Sequence, residues 1–335
     1  MDSITHIVLG GILGEAYAGK ELGKRAMVIG ALAQSLPDID FIASLWLDEA
    51  DNLLAHRGFT HSFLFAALVT PLLVWWAARS HINTLSYKRW AFFLGGQIFI
   101  HLFLDGFNAY GTGWLEPFSH QRFSFNTLFV VDPLYTLWLV VAFVALAFFA
   151  KQNPSRGGWI KFSLSISSLY LVLAITSKIL VYRDVRNILE NQNTAYVRYF
   201  TTPTPLNSLL WFVVVEDATG YHVGYRSVLD KSPVMDLQHF DRQDSLLKPF
   251  LGQNDTQKLI RFSEGYYTIE HWGDTLVFND LRFGQMAGWL DPNANFVFHY
   301  YIQYPEQNTM VMQRGRFERW NRATVESLLE KIKGI

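Results

Sequence analysis

Residues 90–108, WAFFLGGQIFIHLFLDGFN, hold the two features that decide the fold. The stretch is apolar and long enough to cross a bilayer as a helix, which takes ~20 residues, yet it carries His101 and Asp105 toward one end. Ionisable groups at the edge of a bilayer are costly unless paired, solvated or bound to a metal, so their presence there is a functional signal. The same combination recurs through the first third of the chain, at His6, at Asp38 and Asp40 in LPDID (36–40), and at His56 and His61 in HRGFTHS (56–62).

Half of the 335 residues are hydrophobic and 17% are charged, against roughly a quarter charged in an ordinary soluble domain. The charge deficit is concentrated before residue 182. Three more segments, 62–79, 133–150 and 159–181, join 90–108 as four clear membrane spans. Two earlier segments, 4–18 and 26–47, are shorter or interrupted by Pro37, Asp38 and Asp40. They are read as a close-packed helical hairpin in which Gly10, Gly11 and Gly14 let backbones approach, the alternative being an interfacial position. MDSITH (1–6) lacks a positive n-region, so no cleavable signal peptide is expected.

Positive charge orients these spans. Lys20, Lys24 and Arg25, then Arg79, Lys88 and Arg89, then Lys151, Arg156 and Lys161 occupy alternate connections, whereas 37–61 and 109–132 carry only Arg57 and Arg122. The basic side is therefore expected in the cytoplasm. All seven His and Asp positions, and everything after 182, then fall on the far side.

From 183 the chain is more charged, rich in Tyr and Phe, and broken by turn signals such as DATG, DPNAN and YPEQN. LLWFVVVE (209–216), GYYTIEHW (265–272) and NFVFHYYIQY (295–304) suit strands. Phe317, Trp320, Val325, Leu328, Leu329 and Ile332 mark a closing amphipathic helix over 317–333. The expected organisation is a polytopic all-α membrane domain of about six helices over 1–182, followed by a soluble, mostly β (α+β) domain over 183–335.

His101 and Asp105, four apart, share a helix face and suit two ligands of one ion, or a ligand and the group that orients it. His56 and His61, five apart, do not align on one helix. Gly58 is expected to allow a turn, with Thr60 capping the next helix, His61 in its first turn and His56 on the loop. Pro37 disfavours helix at Leu36, which places Asp38 and Asp40 in irregular backbone, tolerated at membrane depth where it is buried in protein or lines a wet cavity.

Singly, each residue has a plainer reading: a packed histidine, a helix-capping Asp38 or Asp40, a hydrogen-bonded His101–Asp105 pair. Four His and three Asp at one end of the helices favour a metal. His81, His120, His222, His239, His271 and His299 are scattered and are assigned no site. With no cysteine in the chain, disulfides are excluded and ligands are restricted to imidazole, carboxylate and water. That donor set suits zinc, manganese or iron. Seven candidates exceed the needs of one four-coordinate zinc. Two or more ions sharing carboxylates use the surplus, as in phosphoester hydrolysis. Arg57 is read either as a planar fork for a phosphate or as an interfacial anchor. A net charge of −1 offers no basic stripe, so no nucleic-acid partner is expected.

MDSITH, LPDID, HRGFTHS and HLFLDGFNAYGT (101–112), followed by Asp132-Pro133, resemble the YdjM-type bacterial membrane-bound metal-dependent hydrolases over about residues 1–180. That family is distantly similar to the helical zinc phospholipase C and P1 nuclease group. The resemblance implies an inner-membrane hydrolase with His6, Asp38, Asp40, His56, His61, His101 and Asp105 as metal ligands. Asn108, one turn past Asp105, is expected to bind substrate, and Asp38, Asp40 and Arg57 to share in the chemistry. The expected reaction is attack of metal-activated water on an ester, most plausibly a phosphoester of a lipid or envelope-linked amphiphile, with membrane lipids as partners. Two rivals use the same residues. An ion or proton pathway would continue polar residues through the helices, and FLFAALVTPLLVWWA (63–77) offers almost none. A non-catalytic envelope scaffold stapled by metal would have a closed coordination shell.

Overall fold

The computed structural model describes residues 1–80, 85–304, 308, 316–317 and 320–334. His81, residues 305–307 of YPEQN and residues 318–319 lie outside them. The chain divides into two compact units, Met1–Ala43 with Ala55–Leu173, and Ser44–Leu54 with Ala174–Ile335.

The first half of the chain is helical. In order come α1 (Ser3–Leu22), α2 (Arg25–Ser35), a 3-10 segment Pro37–Leu45, α3 (Glu49–Ala55), a 3-10 turn Phe59–His61, α4 (Phe63–Arg79), α5 (Tyr87–Asp105), α6 (Pro133–Phe148) and α7 (Arg156–Asn191). Among the described residues α7 alone is long and apolar enough to cross a membrane, or up to three spans exist if α2 with Pro37–Leu45, and Glu49–His61 with α4, each count as one bent span. α6 is apolar but shorter. Large apolar side chains point outward along these helices, among them Leu72 and Trp76 of α4, Phe92 and Phe99 of α5, Val144 of α6 and Leu173 of α7. Where exposed apolar side chains join into one large patch, the surface marks contact with lipid or another protein.

Glycine sets the α1–α2 contact. A Cβ on Gly10 would lie 2.6 Å from Gly30 O, and Cβ atoms on Gly14 and Gly30 would collide with Ala26 O and Gly10 O. The two helices form the close hairpin expected of 4–47, and small residues at their seam make the approach possible. Its far arm differs from the expectation. Leu36 keeps helical dihedrals (φ −63°, ψ −38°) despite the following proline, and Asp38 and Asp40 sit in the 3-10 segment rather than in irregular backbone. Pro37 has no N–H to continue the α-helical ladder, so Ile39 N donates to Leu36 O at 3.2 Å and the axis bends by 57°.

The basic termini meet at one end of this unit. Lys24 donates to Ala147 O at 2.6 Å, Arg89 pairs with Glu21 at 2.7 Å, and Arg156 pairs with Glu15 at 2.8 Å while capping Leu146 O and Phe149 O. At the other end Asp132 caps α6 through Leu134 N and Tyr135 N and accepts from Tyr170 at 2.8 Å.

α7 runs unbroken past 182, so the boundary expected there falls inside a helix, and the units divide between Leu173 and Ala174. The last turns of α7 end in the second unit, which is mostly β. Its elements are β1 (Arg198–Pro203), β2 (Leu210–Glu216), β3 (Gly220–Ser227), β4 (Leu237–Asp241), α8 (Asp244–Leu247), α9 (Asn254–Phe262), β5 (Tyr267–Trp272), β6 (Thr275–Gln285), β7 (Phe296–Tyr301) and α10 (Arg322–Lys333). β1-β2-β3-β4 and β5-β6-β7 are separate antiparallel sheets. Trp211, Val213 and Val215 of β2 pack on Val181, Val185 and Leu189 of α7, while Phe212 and Val214 pack toward Leu281 and Phe296 of the second sheet. Burial on both faces is why this strand reads as an unbroken apolar run. α10 begins at an Asn321–Thr324 capping box, later than the expected start at 317.

Candidate metal centre

His101 and Asp105 lie one turn apart near the end of α5, His61 closes the 3-10 turn before α4, and Asp38 stands in the first turn after Pro37. One donor atom from each lies within 4.8 Å of the other three. The Nε2 atoms of His61 and His101 are 3.0 Å apart. Asp38 Oδ1 is 3.5 Å from each of them, and Asp105 Oδ2 is 3.3 Å from His61 and 3.5 Å from His101. Ligands placed tetrahedrally at ~2.0–2.1 Å around one ion stand about 3.3 Å apart. The five separations that involve an imidazole, 3.0–3.5 Å, lie near that value, and Asp38 and Asp105 are within 4.8 Å of each other.

Hydrogen bonds on the far side of each ring orient the lone pairs. His101 Nδ1 lies 2.6 Å from Gln34 O, and a carbonyl only accepts, so Nδ1 carries the hydrogen and Nε2 is the nitrogen left to bind an ion. His61 Nδ1 lies 3.3 Å from Asp40 Oδ2 and 3.0 Å from Thr60 Oγ1, the carboxylate–histidine arrangement that fixes a metal-binding tautomer. The two inner imidazole nitrogens and two carboxylate oxygens face one another. Asp105 Oδ2 is buried and accepts no hydrogen bond. A shared proton relieves part of that repulsion, and a divalent cation relieves all of it.

The other expected ligands surround this set without joining it. Asp40 accepts from Arg57 N at 2.7 Å, contacts His56 Nδ1 at 3.2 Å, and braces His61 from behind. His56 therefore rests on Asp40, edge-on to Tyr110 at 5.0 Å. His6 Nε2 meets Asp105 Oδ1 at 3.0 Å, and its ring stacks on His101 at 3.8 Å. The helical unit thus gathers donors for one ion among its described residues.

Arg57 is neither exposed nor interfacial: it is 3% accessible. Its guanidinium donates to Asn108 Oδ1 at 2.7 Å and Met1 O at 3.0 Å, and its Nε lies 3.2 Å from Asp105 Oδ2. The Met1 nitrogen also contacts Asp105, so the central carboxylate has Arg57 as a cationic neighbour and a second nitrogen beside it. Arg57 adopts φ +57°, a conformation uncommon for non-glycine residues. The bond to Asp40 and the one from Gly113 N to Arg57 O at 2.8 Å hold it there. Asn108 Oδ1 also accepts from Tyr110 N at 2.9 Å, while its Nδ2 is buried with no acceptor.

The cap of α4 is Ser62, whose side chain accepts from Phe65 N, not Thr60. Thr60 is drawn instead to Asp40 at 3.3 Å. Gln34 and Tyr110 carry no signal of their own in the sequence, and Thr60 is read there only as a cap. Gln34 comes closest to one, a fully buried polar residue in an apolar helix, although its carbonyl contact to His101 depends on tertiary packing.

A family model described as YdjM inner membrane protein matches residues 1–180. The chain belongs to this family. An uncharacterized protein, YfhP of Bacillus subtilis (strain 168), is 27% identical over 274 residues, covering 75% of this chain and 79% of the relative. Inner membrane protein YbcI of Escherichia coli (strain K12) is 33% identical over 122 residues, covering 36% of this chain and 69% of the relative. No solved structure matches significantly. All four donors of the cluster lie inside the segment matched by the YdjM model.

Proposed function

We propose that this YdjM-family chain is a multi-pass, metal-dependent hydrolase of the bacterial inner membrane, acting on an ester, namely a phosphoester of a lipid or envelope-linked amphiphile. The observation that carries the reading is the convergence of Asp38, His61, His101 and Asp105, whose donor atoms lie within 4.8 Å of one another and whose two rings turn Nε2 inward while Nδ1 is engaged from behind. Zinc is the ion preferred for this nitrogen and oxygen set, with manganese and iron as alternatives. Such an ion supplies Lewis acidity and lowers the pKa of a coordinated water.

The protein groups have distinct tasks. Asp40 orients His61, and Arg57 balances the charge on Asp105. Asn108, whose Nδ2 lacks an acceptor, is placed to donate to a substrate oxygen. Asp38 is the most accessible of the four donors, its side chain 19% exposed, so substrate approaches from its side. A site at helix ends suits an amphiphile that presents its headgroup at the membrane surface. Residues 62–79, 90–108, 133–150 and 159–181 would span, with the basic end in the cytoplasm and the metal centre and β-rich unit outside.

One observation favours a second reading. Four protein donors complete a tetrahedron, and closed shells belong to structural sites, whereas catalytic ones keep a position open. A metal-stapled scaffold would show such a shell. The deciding experiment incubates metal-loaded, detergent-purified protein with phospholipid vesicles and soluble phosphomonoesters. Metal-dependent release that His101→Ala abolishes supports the hydrolase. No turnover of any ester, with chelation lowering the melting temperature, supports the scaffold.

A further inference from the structure

His222 and His239, seventeen positions apart and unremarkable in the sequence, become direct neighbours through strand register. They are paired residues on β3 and β4, with ring centroids 4.8 Å apart. Asp217, in the turn between β2 and β3, completes the group: its Oδ2 lies 2.9 Å from His222 Nε2 and 3.4 Å from His239 Nε2. This carboxylate is not a loose surface acid. Its Oδ1 accepts from Thr219 N at 2.7 Å, from Thr219 Oγ1 at 2.9 Å and from Gly220 N at 2.8 Å. The turn therefore fixes the aspartate and leaves Oδ2 to the histidines.

We propose that Asp217, His222 and His239 form a second divalent-metal site, in the β-rich unit, for a borderline cation of the zinc class. One donor atom from each residue lies within 4.8 Å of the other two, and the two measured separations bracket the ~3.3 Å expected between ligands of one tetrahedral ion. Two imidazoles and one carboxylate are a donor set that divalent zinc accepts, leaving a coordination position open. The side chains are 20%, 25% and 34% exposed in chain order, so an ion can reach a site whose backbone is already built. Behind His239, Nδ1 lies 3.6 Å from Asp241 Oδ1, a carboxylate on the side where metal-binding histidines commonly find one. β4 is an edge strand, and an ion here ties it to β3 and to the β2–β3 turn. The second site does not depend on the hydrolase reading.

The test is zinc titration of the tag-free full chain in detergent, comparing wild type with Asp217→Asn and with a His222→Ala, His239→Ala double variant. Asn keeps a side-chain oxygen for Thr219 N and Gly220 N, so the turn survives while the anionic ligand is lost. The proposal expects the double variant to bind one equivalent of zinc fewer per chain, and Asp217→Asn to bind that equivalent at least tenfold more weakly. A His61→Ala, Asp105→Ala variant should retain it, which separates this site from the helical one. Zinc stoichiometry and affinity equal to wild type in Asp217→Asn, or in the folded double variant, would overturn the proposal and leave a hydrogen-bonded surface cluster.

Discussion

Asp40 and Asp105 stand on opposite sides of His61, and substitution separates their roles. Asp105 offers an inward oxygen, whereas Asp40 touches only the outer nitrogen of the ring. Loss of a group that orients a ligand typically costs 10–100-fold in metal affinity. Asp40→Ala should therefore weaken metal binding by about that factor without abolishing it, as read by competition with a chelating dye. Complete loss, or none, would contradict the assignment. The residue types of this centre were legible from sequence because His and Asp are costly beside apolar helices. Their ranking was not. Whether an aspartate faces the ion or the back of a histidine depends on the 3-10 path after Pro37, and the position of Arg57 depends on a left-handed backbone that no composition rule signals. The pairing of His222 with His239 was hidden for a similar reason, since it follows from β register alone.

The α1–α2 hairpin carries His6 and Gln34 and leads directly into the 3-10 segment that holds the donor Asp38, so its packing should be felt at the centre. Gly14 leaves no room for a side chain against Ala26, whereas a Cβ added to Gly96 of α5 would meet nothing within 4 Å. Overpacking a tight seam costs about 1–3 kcal/mol, while replacing an unconstrained helix glycine by alanine gains roughly 0.5–1 kcal/mol. Gly14→Val is expected to lower the melting temperature in detergent and to release metal, and Gly96→Ala to do neither. Equal behaviour of the two variants would show that the seam does not support the site. Helices and strands were legible as apolar periodicity and as β-branched, aromatic runs. Their ends were less so. Ser62 replaces Thr60 as a cap because Asp40 engages Thr60, and α7 continues past 182 because its charged last turns still bury Val185 and Leu189 on β2.

For the molecule as a whole, the segregation of basic groups from the His and Asp cluster implies a sidedness that can be measured. The chain has no cysteine, so single reporters label cleanly. In intact spheroplasts a membrane-impermeant maleimide should modify Gln121→Cys and Asp241→Cys but not Lys151→Cys until the membrane is permeabilised. Labelling of Lys151→Cys first would invert the topology. That Asp38, His61, His101 and Asp105 hold a metal ion is checked by elemental analysis of tag-free, detergent-purified chain. Wild type is compared with His61→Ala, Asp105→Ala, both carrying the His222→Ala, His239→Ala background so that only the helical site is counted. The expected outcome is one equivalent of zinc, manganese or iron per chain in the parent and none in the folded variant. No bound metal in the parent even after reconstitution, or equal metal in both proteins, would refute a metal centre in the helical unit.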